Sequence, residues 1–279
     1  MTTSTPAGSG VRLGSILLAG AGRMGSAMLD GWLAMGIPGQ DLTVVDPAPS
    51  AELAANCRSH GVRLNPKQLA RPDIVILAVK PQVLDSVVPT LEPIVTAATL
   101  LVSVVAGKTM ADLRTRFPAA EVVIRAMPNT PAAVGRGITG VASQGDLSNA
   151  QRTAVDRLLT SIGQVEWLAS EADIDAVTAV SGSGPAYVFY LTECLAKAGE
   201  AAGLDAQLAG RLARATVEGA GELMFRQPEV GPAMLRQNVT SPGGTTAAAL
   251  EVLGSPDGLG PLMVRAVAAA RRRAGELSG

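Results

Sequence analysis

The strongest constraint on this chain lies near its start. Ser15-Ile16-Leu17-Leu18-Ala19 is a short apolar run of strand type, and Gly20-Ala21-Gly22-Arg23-Met24-Gly25 follows without a break. A helical pattern then runs through Met28, Leu29, Trp32 and Leu33 and ends at Gly36. A GxGxxG pattern means little alone; after a strand and before a helix it marks a phosphate-binding turn. Gly20 allows the tight turn, Gly22 lets the backbone approach a pyrophosphate, and Gly25 lets helix pack on strand. The competing reading is a plain tight turn. The context favours a dinucleotide site built from Gly20, Gly22, Arg23, Met24 and Gly25.

The residues that follow have the order expected of such a domain. Leu42-Thr43-Val44-Val45 is a second strand and closes on Asp46, where a carboxylate meets an adenosine ribose. An anion there repels a 2′-phosphate, and no Arg or Lys follows until Arg58, which tilts the choice towards NAD. The alternative is a turn residue ahead of Pro47 and Pro49. Asp73 to Val79 is nearly continuous in apolar residues, as in a central parallel strand. It delivers Val79, Lys80 and Pro81 to the carboxyl end of the sheet, where open α/β sheets bind ligands. Lys80 can there reach a ribose, a phosphate or a carboxylate, or simply be a solvated lysine. Leu100 to Gly107 and Val122 to Ala126 supply two more strands, with a helix from Met110 to Phe117 between them. Met127-Pro128-Asn129-Thr130-Pro131 then leaves the sheet as a proline-pinned loop. Asn129 and Thr130 either face the cofactor crevice or close a structural turn. A helix near 149–161 and a strand near 164–168 complete an alternation that argues for a doubly wound parallel sheet.

At 279 residues the length suits two domains, and 47% hydrophobic residues can fill both cores. Aromatics are only 3%, so those cores rest on Ala, Val, Leu and Met. A net charge of −1 supplies no basic field for nucleic acid or a membrane surface. Arg271-Arg272-Arg273 reads as a solvated helix end. No apolar run reaches the roughly 20 residues of a spanning helix. The start of the chain lacks the order of a signal peptide, and residues 1–13 read as a flexible tail. Cys57 and Cys194 have no pairing pattern, and the single His60 cannot build a metal cluster, so no metal is expected. These features point to a reduced, cytoplasmic protein.

Past Ser170 the strand signal disappears. Tyr187, Tyr190, Leu191, Cys194, Leu195 and Ala198 recur at helical spacing and read as plain helix core. Further helices follow over 204–224, 232–238 and 259–277. Val180-Ser181-Gly182-Ser183-Gly184-Pro185-Ala186-Tyr187 stands before the first long helix, the one that carries this stripe. Val239-Thr240-Ser241-Pro242-Gly243-Gly244-Thr245-Thr246 opens another, with Ser241 as N-cap and Pro242 as first helical residue. Small residues and hydroxyls at a helix start leave amides that suit a carboxylate or phosphate. A simple capped helix is the plainer alternative. The expected plan is a dinucleotide-binding domain over 14–168 and an all-α substrate and dimerisation domain over 169–279. A helical domain with so little aromatic bulk suggests completion by a second copy.

Four segments together, 20–25, 125–132, 180–187 and 239–250, resemble the pyrroline-5-carboxylate reductase family in order and spacing, and the likeness extends from about Gly14 to the end. The resemblance implies a Rossmann-type domain followed by an entwined helical dimer, sometimes built into larger rings. It also implies reduction of (S)-1-pyrroline-5-carboxylate to L-proline by NADPH or NADH. The substrate carboxylate is then expected on Ser241 and the Gly244 and Thr245 amides, with Gly243 in the same turn. Thr246 is expected near the ring nitrogen, with Asn238 and Glu229 around the substrate. Lys80 and the loop at Asn129 are expected near the nicotinamide. Many members prefer NADPH and carry Ser, Thr or Asn where this chain has Asp46, which leaves the cofactor preference open.

Hydride transfer to a carbonyl needs a positioned proton donor, whereas a cyclic iminium already carries the charge that hydride neutralises. A helical domain without histidine, offering amides and hydroxyls, suits the iminium. Two rivals remain from the sequence alone. A β-hydroxyacid dehydrogenase would need an acid/base lysine in the helical domain, and Lys197, the only lysine there, has no supporting motif. A nucleotide-sensing regulator would bind the cofactor without turnover.

Overall fold

The computed structural model describes residues 13–278, so the tail expected at 1–13 lies, except for Leu13, outside the described residues. The chain divides into two compact units. One runs up to Gly182 and takes in the chain from Arg273 onward; the other is Ser183–Arg272.

The first unit alternates strand and helix. In chain order it contains β1 Ile16–Ala19, α1 Arg23–Ala34, β2 Leu42–Val45, α2 Ala51–His60, β3 Arg63–Leu64, β4 Ile74–Leu77 and α3 Leu84–Leu91. There follow β5 Leu100–Ser103, α4 Met110–Arg116, β6 Val122–Met127, β7 Gly137–Gln144, α5 Asn149–Thr160, β8 Gly163–Trp167 and α6 Ile174–Val177. All eight strands form one sheet in the order β3-β2-β1-β4-β5-β6-β7-β8. The reversal of strand order beside β1 places the carboxyl ends of β1 and β4 at the crevice where such sheets bind ligands.

Alternate residues of each strand feed two separate cores. Ile16, Leu18, Ile74 and Ile76 pack with Met28, Leu29 and Trp32 of α1 on one face. Leu17, Val75 and Leu77 pack with Leu84 and Leu91 of α3 and with Phe117 on the other. This is the doubly wound, Rossmann-type arrangement. Trp32 ties the first face together, because its indole N–H donates to Leu158 O at 2.9 Å and joins α1 to α5.

The sheet is not wholly parallel, which corrects the expectation for its far side. From β3 through β6 every pairing is parallel, but β7 pairs antiparallel with β6, and β8 then runs parallel to β7. The segment 128–136 is shorter than the dozen or so residues a parallel crossover requires, so the chain must turn straight back. β6 is therefore an interior strand. β7 escapes a reading by alternation because GITGVASQ intersperses Gly, Thr and Ser among its apolar residues. The helix α2 is also unforeseen, since only Leu53 and Cys57 of its residues are buried.

The second unit holds α7 Gly184–Ala201, α8 Ala206–Arg226, α9 Pro232–Asn238, α10 Thr245–Leu253 and most of α11 Leu259–Ser278. A π-helical turn, Thr178–Gly182, precedes α7. Within this unit α7 and α8 form the one extensively packed helix pair among the described elements. Their contact is lined by small residues: a Cβ on Gly199 would lie 3.1 Å from that of Ala209.

The stripe expected as helix core is not buried within the chain. Tyr190 is 65% exposed, Leu191, Cys194, Leu195 and Ala198 are exposed too, and only Tyr187 of the stripe is half-buried; Phe189, outside the stripe, is 64% exposed beside it. Ala209 and Ala213 are the only buried hydrophobic residues of this unit. The close contact of α7 with α8 is made by small residues, and Val188 and Phe189 of α7 instead border a hollow of about 490 Å³ with Gly210, Arg214 and Val217 of α8.

Candidate functional site

The glycine turn is built as its spacing demands. Gly20 has φ +88°, and a Cβ there would lie 2.8 Å from Ala78 O and from Val79 N. A Cβ on Gly25 would run into Gly20 O, so the start of α1 can sit against the end of β1 only as glycine. Gly22 is different, since nothing lies within 4 Å of the position its Cβ would take. It is the N-cap of α1, without a side-chain cap, and the first turn of α1 contains no acidic residue. The result is an open cradle facing uncapped helix amides, which fits a dinucleotide pyrophosphate in room, donors and helix-dipole sign. Arg23 is exposed beside it, and Met24 is half-buried.

Asp46 stands at the end of β2 with both carboxylate oxygens engaged. Oδ2 accepts from the Ala21 N–H at 2.7 Å, and Oδ1 accepts from the Ala48 N–H at 2.9 Å. The first bond ties the acidic residue directly to the glycine turn. Asn65 then clamps the Asp46 backbone: its Oδ1 accepts from Asp46 N at 2.9 Å and its Nδ2 donates to Asp46 O at 2.7 Å. Asn65 is the only non-glycine residue with positive φ among the described residues, at +46°. The sequence reading passed over it. An Asn followed by Pro66 signals only a turn, and its partner lies 19 residues away.

Val79 is buried behind Gly20, and Lys80 follows it, exposed, at the cap of a 3₁₀ turn from Pro81 to Val83. Among the described residues no carboxylate pairs with Lys80. Asn129 is buried, and both ends of its amide are used internally. Oδ1 accepts from Ile138 N at 2.9 Å, while Nδ2 donates to Ser181 O at 3.1 Å. It braces the loop after β6 against the π-helical turn. Gly182 belongs to the same contact, since a Cβ there would meet the terminal methyl of Met127 at 2.9 Å. Thr130 is exposed at the start of a 3₁₀ turn. Below this loop, buried Arg125 pairs with Glu171 at 3.1 Å, and the same carboxylate oxygen caps Met110 N at 2.8 Å.

In the second unit, the Ser-Pro-Gly-Gly stretch differs from the expectation in one respect. Ser241 and Pro242 do not start the helix. The Gly244 N–H closes a four-residue turn on Ser241 O at 3.1 Å, and Gly243 has φ +70°. A left-handed glycine at the third position is what a type II turn requires, and proline suits its second. Gly244 is then the N-cap of α10, with no side-chain cap. Its own N–H is committed to the turn, so the free amides begin at Thr245 and continue through Thr246. The Ser241 hydroxyl lies beside them, 2.8 Å from where a Gly244 Cβ would stand. Asn238 ends α9 three residues before Ser241, and Glu229 lies in the connection before α9. Ser241, Thr245, Asn238 and Glu229 are all exposed in the single chain, and Thr246 is half-buried.

Neither cysteine belongs to this machinery. Burial pushes the Cys57 thiol above its ordinary pKa, which keeps it a packing residue. No helix among the described residues is long and apolar enough to cross a membrane.

Comparison with known proteins agrees with both units. Residues 171–277 match the family model described as pyrroline-5-carboxylate reductase dimerisation. Residues 15–107 match one described as NADP oxidoreductase, coenzyme F420-dependent. The chain is 39% identical over 265 residues to the pyrroline-5-carboxylate reductase of Pseudomonas aeruginosa, covering 94% of this chain and 96% of that one. Its fold superposes on a pyrroline-5-carboxylate reductase structure from Coxiella burnetii with TM-score 0.86 at 34% identity, covering 96% and 99% of the two chains. A pyrroline carboxylate reductase from Plasmodium falciparum, solved with NADP bound, superposes with TM-score 0.76 at 27% identity, covering 97% and 100%. Similar along nearly its whole length in sequence and in fold, the chain belongs to the pyrroline-5-carboxylate reductase family.

Proposed function

We propose that this chain reduces (S)-1-pyrroline-5-carboxylate to L-proline with NAD(P)H, the last step of proline biosynthesis. Within the molecule, the observation that carries the reading is the uncapped start of α10 behind the Ser241–Gly244 turn. It is a carboxylate receptor with no acid or base built into it.

When bound, the nicotinamide supplies the hydride. The chain's own residues hold and orient what receives it. The Thr245 and Thr246 N–H groups and the Ser241 hydroxyl hold the substrate carboxylate at the positive end of α10. The Thr246 hydroxyl orients the ring nitrogen and shares its proton, and Asn238 and Glu229 flank the ring. In the first unit the Gly20–Gly25 turn takes the pyrophosphate. Lys80, exposed at the carboxyl end of β4, would contribute a cation to holding the cofactor there. Asn129 supports the loop that carries Met127 and Thr130. Because the iminium already bears positive charge, positioning does most of the work and no strong acid is needed at the reacting carbon.

The exposed stripe on α7 needs a partner, and the partner is a second copy of this chain. An apolar face of this size on a unit with two buried alanines cannot remain in water. Pairing of two helical units would also cover the exposed substrate residues. Closure of such dimers into a larger ring, and action in the cytoplasm, belong to the same proposal.

The test is oxidation of NADH and of NADPH, followed in parallel on adding pyrroline-5-carboxylate, with proline identified as product. Thr246→Ala is expected to lower kcat by about tenfold to a hundredfold. Cofactor binding without any turnover in folded protein would replace the enzyme with a nucleotide sensor.

A further inference from the structure

We propose that Asn65 is a positioning residue for cofactor choice, and that it sets Asp46 as a selector for NAD(H) over NADP(H). The proposal rests on the dinucleotide site of the reductase reading and adds to it which adenosine ribose that site accepts.

The argument begins at the Asp46 side chain. A carboxylate at the end of the second strand accepts hydrogen bonds from a ribose 2′-OH and repels a 2′-phosphate. A free aspartate can rotate away from such a phosphate and so tolerate it. Asp46 cannot do this without loss, because rotation breaks the bonds from Ala21 N at 2.7 Å and Ala48 N at 2.9 Å. Each oxygen still has lone-pair capacity for a hydroxyl donor, but neither can donate to a phosphate. The backbone is held as firmly as the side chain. The Asn65 amide bonds both the N–H and the C=O of Asp46, at 2.9 and 2.7 Å. Asn65 does so from a left-handed conformation, φ +46°, which asparagine tolerates better than most residues.

A site for a 2′-phosphate also needs a cation, and the nearest sequence supplies none. Pro47-Ala48-Pro49-Ser50 follows Asp46, and the Ser50 hydroxyl is used to cap α2 through Leu53 N. Two exposed cations argue the other way: Arg23 beside the glycine turn, and Lys67, which lines a hollow of about 330 Å³ together with Val45, Asn65, Pro66 and Leu69.

The experiment measures dissociation constants of NADH and NADPH by fluorescence titration of the full chain, without substrate. Wild type is expected to bind NADH tighter by about tenfold or more. Asn65→Gly keeps the left-handed backbone at ease and removes only the clamp, so the fold is spared. It is expected to bring the NADPH/NADH ratio of dissociation constants towards one. Asp46→Ser is expected to do the same, and Asn65→Gly added to Asp46→Ser is expected to change the ratio no further. A merely structural Asn65 would weaken both cofactors equally and leave the ratio alone, and that result overturns the proposal. Wild type binding NADPH as tightly as NADH or tighter also overturns it. If Lys67→Ala then abolishes that preference, selection belongs to Lys67. These constants are independent of turnover. Absence of proline formation would count against the reductase reading while leaving the selector intact.

Discussion

At the scale of single residues, the site depends on what glycine omits. Gly20 and Gly25 are fixed by collision, because any side chain would strike the backbone of β4's exit or of the turn itself. Gly22 is different, for nothing lies within 4 Å of where its Cβ would stand. Gly25→Ala is therefore expected to cost about 1–3 kcal/mol of stability by overpacking. It should also abolish NADH and NADPH binding together, which melting curves and cofactor fluorescence would show. Unaltered binding would mean that the cradle is not where the pyrophosphate sits. Asn129 is a polar loop residue with a structural role of its own. Buried, it bonds Ile138 N and Ser181 O and so braces the loop after β6. Nothing in Met127-Pro128-Asn129-Thr130 distinguishes a brace from a contact.

At the scale of elements, the start of α10 depends on the turn before it. A proline-glycine type II turn delivers Gly244 as an uncapped N-cap and leaves the Thr245 and Thr246 amides open. Gly243→Ala must place a Cβ at φ +70°, at a cost of about 1 kcal/mol. It is expected to raise KM for pyrroline-5-carboxylate several-fold while leaving cofactor affinity unchanged. Steady-state kinetics beside direct cofactor titration would separate the two, and an unchanged KM would remove the turn from the carboxylate site. The segment could be recognised in the sequence as a small-residue helix start. The residue at which the helix begins could not, because Ser-Pro is equally at home as N-cap and N1 or as the first half of a turn.

At the scale of the whole molecule, the helical unit presents an apolar face suited to a second copy. Its apolar residues face outward along α7, and its single close helix pair buries alanines. Leu191→Glu, which puts a charge in the middle of that face, is expected to shift the assembly to monomers in sedimentation velocity. Loss of activity should accompany the shift, with cofactor binding by the first unit retained. A variant that stays fully assembled would place the contact elsewhere.

The division between sequence and tertiary structure follows the range of the interactions involved. Local patterns sufficed for the apolar strands β1, β2, β4, β5 and β6, for the glycine turn, and for the helices from α7 onward. Each carries its own periodicity or its own punctuation within a few residues. The two-part plan followed from the loss of strand signal past Ser170. What the sequence did not disclose depends on partners far along the chain or outside it. The reversal at β7 rests on the length of a loop and on the pairing partner of a glycine-rich strand. The Asn65 clamp on Asp46 and the Asn129 brace join residues whose separation hides them from any motif. The exposure of the α7 stripe is decided by how α7 meets α8, a contact made by small residues such as Gly199 and Ala209. Periodicity shows which residues share a helix face; only packing decides whether that face meets its own chain or another copy.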